Sequence, residues 1–114
     1  MQKKFKKILL IDLDGVLNEY QGGFDENFIP KPKQGVKEFL EKLNENYELK
    51  LYTTRNKLLA SKWLIENKLD CYFADVTNIK ELSYLVLDDR CLTFDGDFEN
   101  ALKQIQNFKP WYKK

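Results

Sequence analysis

The chain contains no histidine, and this one absence removes a large part of enzyme chemistry. A Ser-His-Asp triad, a Cys-His nucleophile and a His-ligated zinc site all need an imidazole. Any general acid or base must therefore be a carboxylate, a lysine, a tyrosine or a cysteine. Cysteine is also scarce. Cys71 and Cys91 are the only two, and neither stands in a CxxC or Cys/His spacing. They are expected to be free thiols, small buried hydrophobes or otherwise inert, in a cytoplasmic chain. Apolar runs stop at four residues, as in Ile8-Leu-Leu-Ile11, far below the ~20 that a membrane helix needs, so no membrane partner is expected. The first residues are basic, but the apolar segment behind them runs into Asp12 and Asp14 with no small-residue cleavage site, so no secretory leader is expected.

Net charge is nearly absent too, at +1, but the balance is segregated. Lys3, Lys4, Lys6 and Lys7 stand at one end and Lys109, Lys113 and Lys114 at the other. The other 12 basic residues share the interior with all 18 acidic ones. The basic ends are compatible with a polyanion such as nucleic acid, but seven terminal lysines read more simply as a solubility feature.

What is present is an ordinary globular composition, 43% hydrophobic and 32% charged, over 114 residues. That length fits one domain spanning 1–114. Ile8–Ile11 reads as a fully buried strand. Residues 18–33, with Gly22, Gly23, Pro30 and Pro32, read as a loop. Val36, Phe39, Leu40 and Leu43 have the spacing of an amphipathic helix. Tyr47–Tyr52 is a second strand, residues 56–67 a second helix with Leu59, Ala60, Trp63 and Leu64 inward, Cys71–Ala74 a third strand and Tyr84–Leu87 a fourth. A last helix places Phe98, Ala101, Leu102, Ile105 and Phe108 on one stripe. Strands alternating with helices predict an α/β fold, a Rossmann-like three-layer parallel sheet with helices on both faces.

In such sheets ligands bind beyond the carboxyl ends of the strands. Asp12 and Asp14 follow the first strand, Thr53 the second, and Asp88 and Asp89 the fourth, so all are expected on one edge. Four carboxylates in one crevice repel each other. A hard cation relieves the conflict, and an oxygen-only ligand set suits Mg²⁺. Mg²⁺ beside an aspartate suits phosphoryl transfer, with the carboxylate attacking phosphorus.

Ile8-Leu-Leu-Ile-Asp12-Leu-Asp14-Gly15-Val-Leu17 resembles the first motif of the haloacid dehalogenase-like superfamily, an apolar strand followed by Asp-x-Asp-Gly-Thr/Val. Leu51-Tyr-Thr53 resembles the second motif, Lys80 stands where the third motif's lysine belongs, and Leu85-Val-Leu-Asp88-Asp89 resembles the fourth. The likeness spans residues 5–108. It implies a Mg²⁺-dependent phosphatase acting on a phosphorylated substrate. Asp12 would be nucleophile and metal ligand. Asp14 would be general acid and base, binding the metal through its backbone carbonyl. Thr53 and Lys80 would hold the phosphate, and Asp88 and Asp89 would complete the metal site. Phosphotransfer to a second substrate would use the same residues, and a catalytically silent binding or assembly module would use the same fold.

Members of this superfamily usually carry a cap domain. Neither the interval from Asp14 to Thr53 nor that from Thr53 to Lys80 has room for one, which implies a capless core. Its substrate walls must then come from another subunit or from a large substrate, and a homo-oligomer is one expectation. The loop Asn18–Lys33, with Tyr20, Phe24 and Phe28, is the local candidate for a lid. Phe24, Phe28, Trp111 and Tyr112 are read as exposed aromatics suited to an interface. Arg55 and Arg90 each follow a motif and are read either as substrate contacts or as members of surface ion pairs.

Overall fold

In a computed structural model, residues 5–113 are described; Lys3, Lys4 and Lys114 of the two basic ends lie outside them. Four strands, β1 (Lys7–Asp12), β2 (Tyr47–Tyr52), β3 (Phe73–Thr77) and β4 (Leu85–Leu87), form one all-parallel sheet in the order β3-β2-β1-β4. The fold is α/β and Rossmann-like, as the alternation predicts. β1 is central and pairs with β2 from Lys7↔Tyr47 to Asp12↔Tyr52 and with β4 from Leu9↔Leu85 to Ile11↔Leu87. A central parallel strand is enclosed on both faces, which is why Leu9, Leu10 and Ile11 run without interruption and are all buried.

Helices α1 (Val36–Asn44) and α2 (Lys57–Glu66) link β1 to β2 and β2 to β3. Both crossovers run the same way across the sheet, so right-handed connections place both helices on one face. The core lies between that face and the helices: Leu9, Ile11, Leu49, Leu51 and Val76 from the strands, Val36 and Leu40 from α1, and Ala60, Trp63 and Leu64 from α2. Gly35 takes φ +88° and turns the loop into α1. Asn56 caps α2, its side chain accepting a hydrogen bond from Leu59 N–H at 3.0 Å. The return from β3 to β4 passes over the opposite face, where Lys50 meets Glu81 at 2.7 Å. A last helix, α3 (Phe98–Asn107), follows β4 and buries none of its residues.

Two elements differ from expectation. The third strand is Phe73–Thr77, not Cys71–Ala74. Cys71 lies in a 3₁₀ turn over Asp70–Tyr72, pinned by buried Leu69 and by the Tyr72 hydroxyl donating to Glu41 at 2.8 Å. β3 is an edge strand with one inward core residue, Val76, so its apolar signal is weak. Both cysteines are exposed, not buried: Cys71 sits on that surface turn and Cys91 on the extended segment after β4.

Candidate active site

β1, β2 and β4 end side by side, and the chain leaves each of them at a polar residue. Asp12 closes β1, Thr53 follows β2, and Asp88 and Asp89 follow β4. A crevice of about 280 Å³ opens there, lined by Asp12, Asp14, Thr53, Thr54, Asp88 and Asp89, with Tyr20, Phe24, Tyr52 and Arg90 around its mouth. The five strand-end residues predicted to share one edge are therefore brought together. Lys80 is not. It is exposed on the β3–β4 return and does not line the crevice.

Asp12, Asp88 and Asp89 each offer a carboxylate oxygen, and these oxygens lie within 4.8 Å of one another. Burial, followed by the neighbouring carboxyls of Asp89 and Asp88, pushes Asp12 from 3.8 up to about 9. Asp88 is also raised, mainly by burial. Asp89 Oδ2 is buried and has no hydrogen-bond partner. A buried carboxylate oxygen with no hydrogen-bond partner, beside two more acids, is costly unless a counter-charge is supplied. The donors are all oxygen, so the residues fit a hard divalent cation such as Mg²⁺. Gly15, at φ +82°, makes the close approach possible, because a Cβ there would collide with the Asp89 carboxylate.

Asp14 faces a different environment. Arg55 donates to both of its oxygens, from Nε at 2.7 Å and from Nη2 at 3.0 Å. Asn18 Nδ2 adds a third bond at 3.1 Å. Arg55 is buried, with 5% of its surface exposed, so the ion pair it forms with Asp14 is not a surface one. Its Nη1 donates to the Asp25 carbonyl at 2.8 Å, and its guanidinium lies 4.5 Å from the centre of the Phe24 ring. One side chain thus ties Asp14 to the tip of the 18–33 loop. Thr53 Oγ1 accepts from Arg55 N–H at 3.1 Å, which fixes the turn carrying both residues.

That loop is stapled at its base. Glu19 N–H donates to the Lys31 carbonyl at 2.9 Å and Lys33 N–H to the Leu17 carbonyl at 2.8 Å. Asn18, fully buried, accepts from the Gly15 and Tyr20 amides. Trp63 Nε1 donates to the Pro30 carbonyl from α2. The tail also returns to the site. Trp111 Nε1 donates to the Gly15 carbonyl at 2.7 Å, and Tyr112 packs edge-on against Tyr20. Trp111, Tyr112 and Phe24 therefore reach the site, and Phe24 and Trp111 still keep 56% and 44% of their surface exposed. The sequence signal for Arg55 was its place directly after the second motif. The tail was marked only by its aromatics Trp111 and Tyr112, read as an interface and not as part of the site.

No protein-family model matches the chain, and no curated protein matches it. A solved structure described as a conserved protein from Bacteroides thetaiotaomicron is similar, with a TM-score of 0.60 over 96% of this chain and 97% of that one. At 20% identity the likeness concerns the fold. Among the described residues no helix is long and apolar enough to cross a membrane.

Proposed function

We propose that the chain is a Mg²⁺-dependent phosphatase of the haloacid dehalogenase-like type, hydrolysing a phosphomonoester through a covalent phosphoryl group on Asp12. The observation that carries this reading is the pairing of two acids two residues apart in opposite settings. Asp12 sits within a carboxylate triad, while Asp14 stands across the same crevice on an arginine. The pair would work as nucleophile and general acid once a cation on the triad keeps Asp12 ionised and Arg55 frees Asp14.

Asp12, Asp88 and Asp89 would hold the cation by their side chains, with the Asp14 carbonyl beside them. When bound, the cation neutralises phosphate charge and keeps Asp12 ionised. An Asp12 oxygen attacks phosphorus, and the bond from phosphorus to the ester oxygen breaks. Asp14, protonated, gives its proton to that departing oxygen. Asp14, now a carboxylate, takes a proton from water, and the resulting hydroxide attacks the same phosphorus. The Asp12–phosphorus bond breaks, inorganic phosphate leaves, and both aspartates return to their starting states. Thr53 and Thr54 border the phosphate position. Arg90 at the mouth, rather than Lys80, is the cation on hand for phosphate oxygens. Arg55 occupies both Asp14 oxygens, so it must let go of one before Asp14 can reach a departing oxygen, which links loop opening to acid catalysis.

Two observations favour a second reading, a silent binding module. Lys80 is outside the crevice, and both Asp14 oxygens are engaged by Arg55. One screen separates the readings. Purified chain with Mg²⁺ is assayed against a panel of phosphomonoesters, beside Asp12→Asn and an EDTA control. Phosphate release that needs both Asp12 and the metal supports the phosphatase. Absence of turnover across the panel, with Mg²⁺ still bound, supports the module.

A further inference from the structure

Helix α3 holds an apolar stripe that nothing among the described residues covers. Phe98, Leu102 and Ile105 are 79%, 59% and 61% exposed, at spacings of four and three, and Phe94 packs on Phe98 with ring centroids 5.4 Å apart. The adjoining flank of the helix, Ala101, Gln104 and Phe108, is half-buried, so the exposed part of the stripe is Phe98, Leu102 and Ile105. No strand or other helix gives α3 more than a marginal touch. A ten-residue helix is marginal in water by itself, and amphipathic helices persist by burying their apolar stripe. The described chain is also loose for its length. Its radius of gyration is 15.5 Å, where about 13 Å is usual for this size.

We propose that this stripe is the interface of a symmetric homodimer, in which α3 packs antiparallel against α3 of a second copy. The charges along the helix choose this occupant. Asp95, Asp97 and Glu99 gather at its start, and Lys109 stands just beyond its end. An antiparallel two-fold sets each acidic start against the other copy's basic end, whereas a parallel arrangement would oppose like charges. The four-three spacing is that of a helix–helix seam. Four side chains of this size, more than half exposed, offer on the order of 400–500 Å² of apolar surface. That is close to the apolar share of the ~800 Å² each partner contributes to a stable interface. The two-fold axis would pass near Leu102. This proposal is independent of the phosphatase reading.

The test is sedimentation of the full chain and of two variants. Wild type is expected to be a dimer at tens of micromolar. Leu102→Glu and Leu102→Lys, each placing like charges at the axis, are expected to be monomers. Mixed one to one, they are expected to form a heterodimer. Should either variant fail to fold by circular dichroism, Leu102→Cys in a Cys71→Ser, Cys91→Ser background gives a second reading. Mild oxidation is expected to link it into covalent dimers much faster than a control carrying Leu58→Cys, an exposed site on α2. A wild type that stays monomeric throughout the concentration range overturns the proposal. So do folded Leu102→Glu and Leu102→Lys proteins that each dimerise like wild type, or cross-linking no faster than the control.

Discussion

Asp12 and Asp14 are separated by one residue, and the fold gives them opposite partners. Their contrast makes the sharpest residue-scale predictions. Asp12→Asn keeps the shape and removes the proposed nucleophile, so turnover should fall by several orders of magnitude in phosphate-release assays while the fold survives. The same substitution bears on pH. The folded-state pKa of Asp12 is about 9, above its ordinary 3.8, so the metal-free fold is favoured while the group is protonated. That advantage is complete below about pH 4 and is lost as pH climbs toward 9. Melts of metal-free wild type should therefore fall across this range more steeply than those of Asp12→Asn. Equal slopes would remove the buried-carboxyl account. Asp14→Asn should slow turnover by about 10²–10⁴-fold on poor leaving groups and much less on p-nitrophenyl phosphate, which needs little protonation. Equal losses on both would contradict an acid role. The carboxylates and Thr53 were legible because each ends a short apolar strand. Arg55 was underread because a cation after a motif looks like a surface residue unless one knows that a loop folds over it. Lys80 was overread because its position in the chain order, not any local pattern, nominated it.

Among the elements, β1 and β4 announce themselves by apolar runs, β2 by Leu49 and Leu51 alternating with Glu48 and Lys50, and α1 by its stripe. β3 was misplaced by two residues because an edge strand needs only one inward side chain, here Val76, and the eye goes to the richer Cys71–Ala74 run. The α3 stripe was legible as a stripe, but a sequence does not say whether a stripe is covered by its own chain. Two predictions belong at this scale. Leu51, fully buried between β1 and the helices, should cost about 2–5 kcal/mol when cut to Ala, read as a shift of the denaturation midpoint at constant slope. Trp63→Phe keeps most of the packing but removes the bond to the Pro30 carbonyl, worth about 0.5–1.5 kcal/mol. Limited proteolysis between Tyr20 and Phe28 should then accelerate. Unchanged cleavage would mean that Trp63 does not anchor the loop.

For the molecule as a whole, what matters is how little encloses the chemistry. The crevice is about 280 Å³, enough for a phosphate and little more, and its roof is one loop held by Arg55, Asn18 and Trp63. A site this open gives few contacts to the rest of a small substrate, so broad turnover of small phosphates or preference for a large phosphorylated partner is expected from a substrate screen. Sharp selectivity for one small metabolite would show that the loop closes further than it does here. The central claim is that Asp12 takes the phosphoryl group, and it can be read directly. Enzyme, Mg²⁺ and a turned-over phosphomonoester are quenched in acid within a single turnover, and the digested chain is mapped by mass spectrometry. The account predicts a phosphoryl group on the peptide carrying Asp12, absent in EDTA and in Asp12→Asn. Turnover that persists in Asp12→Asn, or that proceeds in wild type with phosphate on no residue or on a different one, would contradict it.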